Sequence, residues 1–138
     1  MKRIYICSPF RAHGADELKR NIAYAQSLAL RALECGNAPY APHLYLPGIL
    51  DDSKADDRVK GVLAGLRFLE VCDEIWVGAK HGVSEGMKKE IEFAKARNIA
   101  VRIHESEECA NGESYTRNIL KNANVTQKVT NAKNGIIP

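Results

Sequence analysis

The sequence has no long hydrophobic run. Its longest apolar stretches, such as Ile75-Trp76-Val77, fall far short of the roughly 20 residues that span a bilayer. No membrane partner is therefore expected. The opening run from Met1 to Cys7 starts basic and turns apolar, but Ser8-Pro9-Phe10-Arg11 cuts it short of a signal peptide. A cytoplasmic protein is the expectation. There is also little excess of one charge: 20 Lys and Arg against 17 Asp and Glu leave a net +3. So small and scattered an excess does not make a nucleic-acid stripe, and no nucleic-acid polymer is expected as a partner. The four cysteines, Cys7, Cys35, Cys72 and Cys109, form no Cys-x-x-Cys pair. Nothing points to secretion, and three of them flank apolar runs, so reduced, structural thiols are expected. His13, His43, His81 and His104 show no zinc-ligand spacing, and no metal is expected. The glycines match neither a dinucleotide fingerprint nor a P-loop, so no cofactor is expected. No internal repeat is visible.

What is present suits one ordinary globular domain: 138 residues, 45% hydrophobic and 27% charged. Residues 3–7, rich in Ile and Tyr, read as a strand buried on both faces. A loop over 8–14 follows. Asp16 is then placed to cap a helix running to Cys35, with Gly36 as its stop. Leu18, Ile22, Ala25, Leu28, Ala29, Ala32 and Leu33 recur at helical spacing, with Lys19, Arg20 and Arg31 off that stripe. Residues 37–42 are extended, though Pro39 and Pro42 make an unusual strand. Residues 44–57 read as a loop, 58–71 as a second helix weakened by Gly61 and Gly65, and 73–78 as the clearest strand. A turn over 82–86 opens a third helix reaching Arg97, and 99–103 form a further strand. This alternation predicts an α/β fold: a doubly wound, Rossmann-like or flavodoxin-like parallel sheet of four or five strands with helices on both faces. The domain is expected to span 1–104. Residues 105–138 turn rich in Asn and Lys and read as a polar extension, helical over 114–123 at most, with a tail over 124–138 that is flexible or docked on a second subunit.

Ligands of an open parallel sheet bind beyond the carboxyl ends of its strands. That selects Ser8-Pro9-Phe10-Arg11, Pro42-His43-Leu44, and the segment from Gly78 to Gly86. Ser8, Arg11, Ser84 and Gly86 suit an anion or a sugar, aided by the amides that open the third helix. Glu90 stands out. Met87, Ile91 and Ala94 form the inward stripe, and Glu90 sits on its border, whereas Glu92 lies with Lys88 and Lys89 on the far side. A carboxylate leaning onto an apolar face is costly unless it is paired. It is either a nucleophile or base kept ionised by the nearby helix start, or a boundary glutamate bonded to backbone. Bland readings stand beside the others. Arg11 is a phosphate clamp or simply exposed, and His43 is a site wall or a core-edge histidine. Asp51, Asp52, Asp56 and Asp57 match no calcium loop and read as a solvated acidic turn. Asp73 starts its strand or accepts from a loop N–H, and Trp76 is core.

Four segments in the same order resemble the nucleoside 2-deoxyribosyltransferase superfamily, in particular its short bacterial and phage members. They are Ile4-Tyr5-Ile6-Cys7-Ser8-Pro9-Phe10-Arg11, Ala41-Pro42-His43-Leu44, Cys72-Asp73-Glu74-Ile75-Trp76-Val77-Gly78 and Ser84-Glu85-Gly86-Met87-Lys88-Lys89-Glu90. The last is similar to the Ser-x-Gly-x-x-x-Glu signature of the 2'-deoxynucleoside 5'-phosphate N-hydrolases. The resemblance implies cleavage or transfer of the N-glycosidic bond of a nucleoside or nucleoside 5'-monophosphate. Glu90 would be the nucleophile, passing through a covalent glycosyl intermediate. Ser84 and the amides near Gly86 would hold sugar or phosphate, Ser8 and Arg11 would line the same pocket, and His43 would form its wall. The resemblance also implies a homodimer or higher homo-oligomer. One departure is plain: active members carry an aspartate in the helix before the Cys-Asp strand, where this chain has Leu63-Ala64-Gly65-Leu66. Asp57 or a group from a second subunit would have to take its place; otherwise the domain binds or senses a nucleotide without chemistry.

Overall fold

The computed structural model describes residues 1–105. Four parallel strands, β1 (Arg3–Cys7), β2 (Ala38–Tyr40), β3 (Glu74–Gly78) and β4 (Ala100–His104), lie in the order β2-β1-β3-β4. The helices are α1 (Ala15–Glu34), a single turn α2 (Pro42–Tyr45) continued by a 3₁₀ turn (Leu46–Gly48), α3 (Ala55–Leu69) and α4 (Glu85–Ala96). This is the expected α/β architecture. The helix expected over 114–123 and the polar extension beyond Glu105 lie outside the described residues.

Each face of the sheet has its own core. Ile4, Ile6 and Trp76 point to one side, where Tyr24, Leu28 and Ala32 of α1 cover them. Tyr5, Cys7, Ile75 and Val77 point to the other, under Leu69 of α3 and Met87 and Ala94 of α4. Covering both faces explains why β1 and β3 read as unbroken apolar runs rather than alternating ones. Gly78 lets α1 come close: a Cβ there would stand 2.6 Å from Leu28 Cδ1 and 2.8 Å from Tyr24 Cε1.

Several details correct the sequence reading. Asp16 does not cap α1. Gly14 holds the cap position without a side-chain bond, and Glu17, one turn in, accepts the N–H of His13 at 2.8 Å. At the other end Gly36 stops the helix as expected. With φ at +77°, its N–H bonds Leu33 O while Asn37 N–H bonds Ala32 O, the paired closure of a left-handed cap. Leu33 turns outward, and Arg31 turns inward to place Nη1 3.0 Å from His104 Nδ1. The stripe fails there because the end of α1 packs over His104, a polar edge of the sheet.

The span 44–57 is not all loop. Pro42 starts α2, where a missing N–H costs nothing. α3 begins at Ala55, three residues early, with Asp56 and Asp57 in its first turn, where negative charge suits the helix dipole. Pro39 is tolerated because β2 is an edge strand. Asp73 accepts the Arg3 backbone N–H at 2.7 Å and its guanidinium at 2.8 Å, tying β1 to β3. Trp76 is core, its Nε1 donating to Glu74 at 3.0 Å. Among the described residues no helix is long and apolar enough to cross a membrane.

Candidate functional site

The sheet reverses its winding between β1 and β3, and ligands of such sheets bind at the carboxyl end of that junction. There the chain leaves β1 through Ser8-Pro9-Phe10-Arg11 and leaves β2 into α2, while α4 opens opposite. With α3 as a further wall, these segments enclose a cleft of about 660 Å³. All six residues singled out in the sequence, Ser8, Arg11, His43, Ser84, Gly86 and Glu90, line it.

Glu90 sits in the second turn of α4, half-buried, and its Oε1 accepts the Tyr5 hydroxyl at 2.8 Å. Burial pushes its carboxyl above the ordinary glutamate value, and the Cys7 thiol and Tyr5 hydroxyl beside it pull the other way without cancelling that rise. The expected help from the helix start is therefore not the controlling influence. Its field fades within one turn, and Glu90 lies beyond it. Burial and the neighbouring carboxylate raise the Tyr5 phenol in turn, so it stays a donor.

Ser8 is buried, and its Oγ lies 3.0 Å from His43 Nε2. Burial lowers the His43 imidazole to about 4, so at neutral pH it is uncharged, with one nitrogen a donor and the other an acceptor. Phe10 stands beside it, ring centres 6.1 Å apart. Arg11 is exposed and pairs with Asp52 across the cleft mouth, Nε to Oδ2 at 3.4 Å. Ser84 is the N-cap of α4, its Oγ accepting Met87 N–H at 3.3 Å. A hydroxyl so engaged still has its hydrogen to donate.

Asp57, the expected stand-in acid, is an acceptor instead. Its carboxylate takes the Asp51 backbone N–H at 3.1 Å and Lys60 Nζ at 3.0 Å, and both hold it below the ordinary range. The other aspartates are likewise used locally. Asp51 accepts from Ser53, and Asp52 faces Arg11.

The sequence reading missed two parts of the site. For Tyr5 the sequence pattern gives only a strand position. A tyrosine within a doubly buried strand needs a partner for its hydroxyl, and that was the available signal. On α3 the resemblance ties only the stretch 63–66 to the site; Arg58 and Gly61, which also wall the cleft, carry no motif.

Residues 2–104 match the domain of unknown function DUF7768. The chain belongs to that family. No curated protein matches it. Among solved structures, the DUF7768 domain is similar to a 2-deoxyribosyltransferase from the psychrotolerant bacterium Bacillus psychrosaccharolyticus, at 16% identity and a TM-score of 0.58. The match covers 79% of this chain and 77% of that one. At that identity the likeness is one of fold.

Proposed function

We propose that this DUF7768 domain cleaves or transfers the N-glycosidic bond of a nucleoside or nucleoside 5'-monophosphate, with Glu90 as nucleophile. The observation that carries the reading is a half-buried carboxylate, oriented by Tyr5 at 2.8 Å, in the cleft beyond β1. The 2-deoxyribosyltransferase fold and the Ser-x-Gly-x-x-x-Glu spacing from Ser84 to Glu90 support it.

In this reading a Glu90 oxygen attacks the anomeric carbon as the bond to the base breaks. Positive charge gathers on the sugar ring and is met by the carboxylate, as in retaining glycosidases. The covalent sugar ester is then resolved by water or by a second base. Ser8, Ser84 and the amides near Gly86 hold the sugar or its phosphate. Arg11 supplies a cation at the mouth, and His43 walls the pocket. The apolar outer face of α3, with Val59 and Leu63 more than half exposed, supports a homo-oligomer.

The test is chromatographic detection of base release from ribo- and deoxyribonucleosides and their 5'-monophosphates, with wild type and Glu90→Gln side by side. Release by wild type and loss of at least 1,000-fold in the variant are expected. Tight binding of a nucleotide without release from any substrate would replace this reading with that of a nucleotide-sensing domain.

A further inference from the structure

A glycosidic bond breaks only if its base can leave. An uncharged base leaves as an anion unless a proton reaches it, and a positioned acid is typically worth about 100-fold to 10,000-fold. The phenol, the imidazole and the paired aspartates and Glu85 of this cleft are committed otherwise. Tyr5 gives its hydroxyl hydrogen to Glu90 at 2.8 Å. Asp57 accepts from Asp51 N–H and Lys60, Asp52 faces Arg11, and Glu85 is bridged to Lys88. Each carboxylate is thus held as an acceptor by an amide or a cation. His43 is half-buried and uncharged, bonded to Ser8.

On α3, the residue turned toward Tyr5 is Gly65. A Cβ there would stand 2.9 Å from Tyr5 Oη and 3.9 Å from the Pro42 ring, so the phenol fills the place through which an acidic side chain on α3 would reach the reacting carboxylate. Among the described residues, the paired carboxylates, the phenol and the imidazole of the cleft are thus placed to meet charge rather than to protonate a leaving base.

Resting on the glycosidic reading above, we infer that the substrate is an N-glycoside whose base already carries a positive charge, a pyridinium or an N7-alkylated purine. The bonds balance without an acid. A Glu90 oxygen forms the bond to the anomeric carbon, the carbon–nitrogen pair passes to the base, and that pair cancels the base's charge so that it departs neutral. Water then attacks the same carbon, the ester carbon–oxygen pair returns to Glu90, and the water's proton goes to solvent. The wall carries Asp52, Asp57, Glu85 and Glu90 against Arg11, Arg58 and Lys89, an excess of negative charge that favours a cationic ligand, and Phe10 lines it as well.

The experiment compares matched pairs on the full chain: 7-methylguanosine against guanosine, and nicotinamide riboside against inosine, each also with Glu90→Gln. The expected result is a kcat/KM at least 100-fold higher for the cationic member of each pair, abolished in the variant. For nicotinamide riboside, kcat/KM should not decline between pH 7 and pH 9, since no acid must stay protonated. Guanosine turned over as well as 7-methylguanosine, in a Glu90-dependent way, would overturn this inference and leave the glycosidic reading standing. Release of no base, or release indifferent to Glu90→Gln, would overturn both.

Discussion

The Tyr5 hydroxyl donates to Glu90 Oε1 at 2.8 Å, joining the middle of β1 to the second turn of α4 across 85 residues of chain. The acceptor is a carboxylate that burial makes reluctant to ionise, so the donor decides how readily it does. Tyr5→Phe should therefore raise the Glu90 pKa further. A hydrogen bond to a charged group contributes about 1.5–3 kcal/mol, which corresponds to roughly 1–2 pH units. The acidic limb of the pH–rate profile should move up by about that amount, while the rate on the alkaline plateau changes less.

Gly65→Ala should imitate that change while leaving both partner residues in place. The new Cβ would meet the Tyr5 oxygen at 2.9 Å, and the phenol ring, fully buried between sheet and helices, cannot retreat. Its hydroxyl must tilt away from Glu90. The acidic limb should shift in the same direction as in Tyr5→Phe, and the double variant should shift no further than Tyr5→Phe alone. Additive shifts would sink this account.

Glu90→Gln should be more stable than wild type near neutrality. A carboxyl whose pKa is raised by folding binds its proton more tightly in the folded chain. That contribution is complete below the ordinary glutamate range and is lost as pH rises through and beyond it. The glutamine keeps an acceptor for Tyr5 without the charge. Thermal melts should show a higher Tm for the variant at pH 7.5, with the advantage gone at pH 4.

His43 has the opposite sign. Folding lowers its pKa from 6.5 to about 4 because burial disfavours the imidazolium. Stability is therefore complete above the ordinary value and falls as pH drops from about 6.5 toward 4. Nitrogen-detected NMR should find the ring neutral at pH 5.5, and His43→Gln should flatten the decline of Tm across that window.

Gly78→Ala probes packing alone. Its Cβ would crowd Leu28, Tyr24 and Ser8, the last at 3.1 Å. Overpacking of this kind costs about 1–3 kcal/mol. Each kcal/mol lowers Tm by roughly 4–8 °C in a domain of about 100 residues. An unchanged melting temperature would contradict the close seating of α1 on β3.

Much of this architecture was legible because β1 and β3 are apolar on both faces, a pattern that only a covered parallel sheet requires. The helix end marked by Gly36 was legible too, since it answers a local need of the backbone. The stretch from Leu44 to Lys54 was not, because a single helical turn and a 3₁₀ turn have no periodicity to read. Arg31 was misassigned for a different reason. Its inward turn depends on His104, 73 residues away, and no local pattern reports that neighbour. In the site, the strand-end rule found Ser8, His43 and Ser84, and helical spacing found Glu90. Tyr5 escaped because a strand pattern reports that a residue is buried without saying what its polar end meets.

Pro39 has one more effect. Ala38 N–H bonds back to Lys2 O, just ahead of β1, so by the two-residue period of a strand the N side of Pro39 faces away from β1, toward the far side of β2. A proline there offers no donor. A stray strand arriving at this border, from a neighbouring molecule or a nascent chain, would find a gap at the middle rung of the ladder. The three-residue border beside the cleft is thus blunted against templated self-assembly by the chemistry of one imino acid.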